Sequence, residues 1–193
     1  MPARVIPIVE GHGEVAAVPL LLRRIANTLG IHDAYIGKPI RCSRHKLLKS
    51  GELERAIELA ALKSGRDGRV LLLIDADTDC PAELAPSLLA RAQQARQDIR
   101  MGVVLAKHEF EAWFLGSLES LREEYPIAPG QAPPRPPEEI RGAKEHLGAL
   151  LGIAYSPSVD QPAMAERFDM GSARNACPSF DKLWRTVESL LAS

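Results

Sequence analysis

The apolar positions in the first half of the chain switch repeatedly between two periodicities. Val5, Ile6, Pro7, Ile8 and Val9 form a run of strand length that stops at Glu10-Gly11-His12-Gly13. From Glu14 onward Val15, Val18, Leu22, Ile25 and Leu29 recur at helical spacing, and Gly30 closes the segment. A strand over 5–9 and a helix over 14–29 are therefore predicted. Pro7 cannot donate a ladder hydrogen bond, so an edge or an irregular side is expected there. A short strand over 38–42 follows. Leu53, Ala56, Ile57, Ala60 and Ala61 then lie on one stripe of a helix over 51–64. Residues 70–74 are apolar at every position, as in a central strand covered on both faces. They run into Asp75-Ala76-Asp77-Thr78-Asp79, and a helix over 81–97 and a strand over 101–105 come next.

This β-α-β-α-β-α-β order predicts an α/β protein of Rossmann-like type, with a central, mostly parallel four-stranded sheet flanked by helices. Right-handed crossovers then bring the C-terminal ends of the strands, and with them Glu10 and Asp75, to one edge of the sheet. The second half differs. Residues from Lys107 through Leu115 have a helical pattern, and 126–137 holds six prolines in twelve residues, a linker or surface loop. Helical pieces are expected around 138–151, 161–168 and 180–191. The organisation expected is a catalytic core over 1–125, the proline-rich stretch 126–137, and a helical C-terminal extension over 138–193 packing on the core.

Composition narrows the functional classes. With 193 residues, 46% hydrophobic and 25% charged, the chain has an ordinary globular profile. Its formal net charge of −1 excludes bulk electrostatics as a way of holding nucleic acid, so phosphate contacts need a local basic patch or a bound metal. Cys42, Cys80 and Cys177 have no metal-ligand spacing and are odd in number, which fits a reducing cytoplasm. Neither a secretory signal nor a membrane span is expected.

Carboxylates at the C-terminal ends of parallel strands lie where open α/β sheets bind ligands. Glu10 ends the first strand, Glu14 opens the following helix, and Asp75 and Asp77 end the strongest strand. Hard oxygen donors of this kind suit one or two Mg²⁺ or Mn²⁺ ions, which complete their coordination with water and substrate phosphates. Plainer roles compete at single positions: Asp79 before Cys80-Pro81 also suits a turn or helix cap, and Glu14 also complements a helix dipole. Gly11-His12-Gly13-Glu14-Val15-Ala16 also fits the dinucleotide fingerprint G-x-G-x-x-A. That fingerprint expects an acidic residue after the second strand, where this chain has Arg41, Arg44, His45 and Lys46. An NADP-binding Rossmann protein is thus the lesser alternative, since it explains neither Glu10 nor Asp75-Ala76-Asp77.

Glu10-Gly11-His12-Gly13-Glu14 after one strand and Asp75-Ala76-Asp77 after another resemble the Toprim signature. The chain further resembles an uncharacterised bacterial Toprim-like family, often encoded beside an AAA-type ATPase and related to the overcoming-lysogenisation-defect (OLD) nucleases. His108-Glu109-Phe110-Glu111-Ala112-Trp113 matches that family's Glu-x-Glu-Ala-Trp-like segment, and Cys177-Pro178-Ser179-Phe180 its closing Ser-Phe motif. The resemblance implies a Toprim-like fold and Mg²⁺-dependent cleavage of DNA or RNA in phage defence or repair, with an AAA-type ATPase as partner. A homodimer is also allowed. The other reading left open is a Toprim-like module that binds nucleic acid or nucleotide without turnover.

By the same resemblance, Glu10, Asp75 and Asp77 hold one metal, while Glu14, Glu109 and Glu111 supply a second. On a helix Glu109 and Glu111 would stand about 200° apart, so only one could face the ion; Glu109, nearer the strand end, is favoured. Glu111 and Trp113 are the candidates for a structural role. Lys107 and Lys144 are candidates to neutralise the scissile phosphate. The basic run Arg41, Arg44, His45, Lys46 and Lys49 is the candidate nucleic-acid surface.

Overall fold

The computed structural model describes residues 3–65, 67–132 and 136–192. Five strands form one parallel sheet: β1 (Arg4–Val9), β2 (Tyr35–Ile36), β3 (Ile40–Arg41), β4 (Gly68–Asp75) and β5 (Arg100–Ala106). The order is β2-β1-β4-β5, and β3 pairs with the same side of β1 as β2 does. The strand expected over 38–42 is therefore shorter, and a second short piece precedes it.

The break between β2 and β3 has a local cause. β2 pairs with Arg4 and Val5, and β3 with Ile8 and Val9. Val5 and Val9 accept bonds on this side from the N–H of Gly37 and Cys42 (2.9 and 2.8 Å). Pro7 shares their parity, so its missing donor falls opposite the break. β1 is thus internal to the sheet, with its irregular side at Pro7 and an intact β4 pairing on the other side.

Side-chain alternation sorts the core into two layers. Val5, Val9, Leu71, Leu73, Val104 and Ala106 face one layer, and Ile6, Ile8, Val70, Leu72, Ile74, Val103 and Leu105 the other. The second layer is covered by α3 (Glu52–Ser64) and α4 (Pro81–Ala95), with α2 (Arg44–Leu47) leading into α3. The first is covered by α1 (His12–Thr28) and by helices from the C-terminal half. Those are α5 (Ala112–Leu115), α6 (Ala143–Leu151), α7 (Pro157–Arg167), α8 (Met170–Ala176) and α9 (Pro178–Leu191). α7 packs along α1, and α9 packs on β5. The helices after the proline-rich stretch thereby share one hydrophobic cluster with β1 and α1.

Several boundaries differ from the sequence pattern. The helix expected from Lys107 begins only at Ala112, because His108 adopts a left-handed φ of 63° and turns the chain. α4 ends at Ala95, two residues early, with Arg96 extended. The short α2 and α8 were not expected, and α7 starts at Pro157, where proline suits a first helical position. Of the proline-rich stretch, 133–135 lie outside the described residues; a 3₁₀ turn covers Pro137–Glu139.

Five aromatic rings anchor the C-terminal layer. Trp113 meets Phe110 and Phe180 at ring-centroid separations of 4.6 and 5.2 Å, and Phe168 links Phe114 to Phe180 at 5.3 and 5.5 Å. Trp113 is a core residue, fully buried.

Candidate metal centre

The loops after β1 and β4 meet at one edge of the sheet. Glu14, third in α1, accepts a hydrogen bond from the Glu10 backbone N–H through Oε2 (3.1 Å), as an acidic residue in a first helical turn often does. Asp75 is the last residue of β4 and opposes Ala106 of β5. Beyond it the two chains stay joined: Ala76 N–H bonds to Ala106 O (2.9 Å) and Asp77 N–H to His108 O (3.0 Å). Among the described residues Asp77 and His108 are the non-glycine ones with positive φ, 50° and 63°, so each loop turns on one left-handed residue. His108 Nδ1 lies 2.5 Å from Asp77 O and closes the pair.

Strand parity decides which carboxylates meet. Asp75 belongs to the face covered by α1 and the C-terminal helices, and there it adjoins Glu14 and Glu111. Burial first, then the charges of Glu14, Glu111, Glu10 and Asp77, hold its carboxyl well above the usual range. Burial also pushes Glu14 up to about 7; the Glu10 N–H opposes that rise, and the Glu10 and Glu111 charges add to it. Glu111 is raised by burial, against hydrogen bonds to its Oε1 from Gln161 Nε2 (2.9 Å) and Tyr155 OH (3.0 Å). The alternation carried one residue past β1 turns Glu10 to the opposite face, beside Asp77 and Arg44. Glu10 is raised by burial, against the Asp75 backbone N–H; the Asp77 charge adds to the rise and the Arg44 charge, the smallest of the four, opposes it. Its Oε2 is buried without a hydrogen-bond partner among the described residues.

Arg44 closes this opposite side. Its Nε donates to Asp75 O (3.1 Å) and its Nη2 to Ala76 O (3.4 Å). Its Nη1 stands 3.4 Å from Asp77 Oδ2, and Nη2 also pairs with the Asp79 carboxylate. The remaining members of the basic run, Arg41, His45, Lys46 and Lys49, are exposed.

The other expected site residues fall elsewhere. Glu109 Oε2 accepts the Lys144 backbone N–H (2.9 Å) and so satisfies a free donor in the first turn of α6. The geometry thus ranks Glu111 above Glu109 as a neighbour of Asp75, because the helix on which their phases were compared does not include them. Lys144 meets this region through its backbone. Lys107 lines a separate cleft of about 490 Å³, between the start of α4, the β5 edge and the start of α9, where it faces Glu138. Tyr155 and Gln161, the two donors that position Glu111, carry no signal in the sequence.

The family motifs also have a structural account. Ser179 Oγ accepts from Trp113 Nε1 (2.8 Å) and Lys107 N–H (3.2 Å) and donates to Glu138. Gly13 allows close packing: a Cβ there would lie 2.2 Å from Gln161 Oε1 and 2.3 Å from Pro157 O. The start of α7 therefore packs directly on the glycine loop at Gly13.

Among the described residues no group of three or more His, Cys, Asp or Glu side chains is gathered as a metal-ligand set. Glu14, Glu111 and Asp77 each spend oxygens on Glu10 N–H, on Tyr155 and Gln161, and on Arg44 respectively. The donor chemistry nevertheless fits a hard divalent cation. The buried Glu14 and Glu111 and the half-buried Glu10 and Asp75 share one edge, the Glu10 Oε2 is unpartnered among the described residues, and the foremost charges acting on Asp75 are all negative.

Sheet and site together define a parallel α/β protein with an acidic centre at its strand ends. The chain belongs to the family described as "Domain of unknown function (DUF4276)", whose model matches residues 9–188. No curated protein matches it. In structure it is similar to the C-terminal region of the OLD protein of Xanthomonas campestris pv. campestris. One such chain is 16% identical with a TM-score of 0.43, covering 96% of this chain and 95% of that one. A second is 15% identical with a TM-score of 0.38, covering 97% and 95%. Likeness at this level carries no functional argument, and the α/β assignment rests on this chain's own sheet. Among the described residues no helix is long and apolar enough to cross a membrane.

Proposed function

We propose that this protein is a Mg²⁺- or Mn²⁺-dependent nuclease of Toprim type, cleaving phosphodiesters in DNA or RNA. The observation that carries the reading is the crowding of carboxylates around the half-buried Asp75, with Glu14 and Glu111 buried beside it, whose mutual repulsion calls for a cation. Glu10, Asp75 and Asp77 would hold a first ion, with Glu14 and Glu111 beside it. Such an ion supplies charge neutralisation at the phosphate and a water acidified toward neutral pH. The chain's own residues do the rest. Tyr155 and Gln161 orient Glu111, and Glu14 stays tied to the Glu10 backbone. The exposed Arg41 ends β3, and the exposed His45, Lys46 and Lys49 come after it at the same sheet edge, where they can follow a phosphate backbone. The motif resemblance carried by Glu10-Gly11-His12-Gly13-Glu14 and Asp75-Ala76-Asp77 supports a role in phage defence or repair beside an AAA-type ATPase, and the three scattered cysteines suit a cytoplasmic setting.

The test is incubation of the full chain with single- and double-stranded DNA and RNA in Mg²⁺, Mn²⁺ or EDTA. Cleavage should need the metal and fall by about 100-fold or more in Asp75→Asn and Glu10→Gln. Metal-enhanced nucleic-acid binding without cleavage under any divalent ion would instead make the protein a binding module.

A further inference from the structure

We propose that Arg44 is a tethered counter-cation that keeps Asp77 out of the metal centre until a divalent ion displaces it. The inference rests on the metal-centre reading above and concerns how that centre is regulated. Arg44 opens α2 in the middle of the chain's densest basic run, yet its side chain is only 16% exposed, whereas the Asp77 side chain beside it is 54% exposed. Its guanidinium is committed inward: Nε and Nη2 hold the carbonyls of Asp75 and Ala76, and Nη1 and Nη2 reach Asp77 and Asp79. A guanidinium suits this arrangement, because its several N–H donors serve two carbonyls and two carboxylates at once.

The placement divides the acidic edge in two. On the Glu10–Asp77 side Arg44 supplies positive charge; on the Asp75–Glu14–Glu111 side the leading charges are all negative. The carboxylate best exposed to an arriving ion, Asp77, is the one already paired. For Asp77 to offer Oδ2 to an ion held by Glu10 and Asp75, that oxygen would have to exchange its guanidinium partner for the ion. A freed Arg44 would then be available, beside the exposed Arg41 and His45, to an anionic phosphate. Arg44 then belongs to the resting state as a substitute cation and to the loaded state as an anion ligand.

Mn²⁺ binding followed by titration calorimetry, in the full chain without substrate, separates this role from a structural one. Arg44→Gln removes the competing charge and should bind Mn²⁺ about tenfold more tightly than wild type. Arg44→Lys keeps the charge and should stay within a few-fold of wild type. If Arg44 only latches the loop after β4, Arg44→Gln binds Mn²⁺ equally or more weakly, and the proposal is overturned while the metal centre stands. If neither wild type nor Arg44→Gln binds millimolar Mn²⁺, with both folded by circular dichroism, the metal centre and this proposal fall together.

Discussion

Trp113 Nε1 donates to Ser179 Oγ across 2.8 Å, joining the segment after β5 to the first turn of α9. The same hydroxyl accepts the Lys107 N–H and donates to the buried Glu138, so one side chain satisfies three groups. Ser179→Ala removes the acceptor of the indole and Lys107 donors, while the buried Glu138 keeps only the backbone N–H of residue 179. The expected cost is about 1–3 kcal/mol, read as a lower urea midpoint with an unchanged m-value. Wild-type stability in this variant would mean that water replaces the hydroxyl and that the network is dispensable.

Gly13→Ala should be more damaging than its helix propensity suggests. Alanine favours a helix interior by about 1 kcal/mol over glycine, but its Cβ would sit 2.2 Å from Gln161 Oε1 and 2.3 Å from Pro157 O. The forced separation of α1 from α7 should cost about 1–3 kcal/mol net. Truncating Gln161 as well should not rescue it, because the Pro157 carbonyl is backbone. Thermal denaturation of the single and double variants checks both statements.

Glu109 and Glu111 should separate cleanly. Glu111→Gln alters a carboxylate acting on Asp75 and is expected to weaken Mn²⁺ binding by 10-fold or more, on the order of other metal-site partners. Glu109→Ala removes the acceptor for the Lys144 N–H and should cost about 1 kcal/mol of stability, as lost helix caps do, with Mn²⁺ affinity kept. The opposite pattern in calorimetry would restore Glu109 as the ligand.

Stability without divalent ions should fall as the pH rises. Glu14 has its pKa raised from 4.5 to about 7, and Asp75, Glu10 and Glu111 are shifted upward as well. A carboxyl raised in the folded state binds its proton there more tightly than in the unfolded chain. Stability is therefore greatest below the unfolded value and is lost as pH climbs to the folded one. For Glu14 alone the loss between pH 4.5 and 7 is about 3 kcal/mol at most. Denaturant titrations in EDTA at pH 5 and pH 8 measure it, and Mn²⁺ should recover more stability at pH 8 than at pH 5. A flat profile in EDTA would show that the carboxylates are less crowded than their burial implies.

Asp75→Asn should stabilise the metal-free protein while abolishing metal-dependent cleavage. Removing one negative charge relieves the pressure on Glu14, Glu111 and Glu10, worth on the order of 1 kcal/mol at pH 8. A variant both less stable and inactive would instead make Asp75 a buried structural anchor.

The sequence by itself determined the sheet. Period-two and 3.6-residue hydrophobic patterns need only local order to be read, and they located β1, β4 and β5, the helices after β1 and β4, and hence the placing of Glu10, Asp75 and Asp77 at one edge. They even marked Pro7, whose missing donor coincides with the break between β2 and β3. Only the tertiary structure decided the company these carboxylates keep. The left-handed His108 removed the helix on which Glu109 and Glu111 had been compared, and so sent one to α6 and the other to Asp75. Gly13, a phosphate-loop residue by motif, proved to admit α7, and Arg44, a surface residue by composition, turned inward onto four acceptors. Each of these outcomes depends on a partner at least 30 residues away, or on one backbone dihedral, and neither leaves a period in the chain.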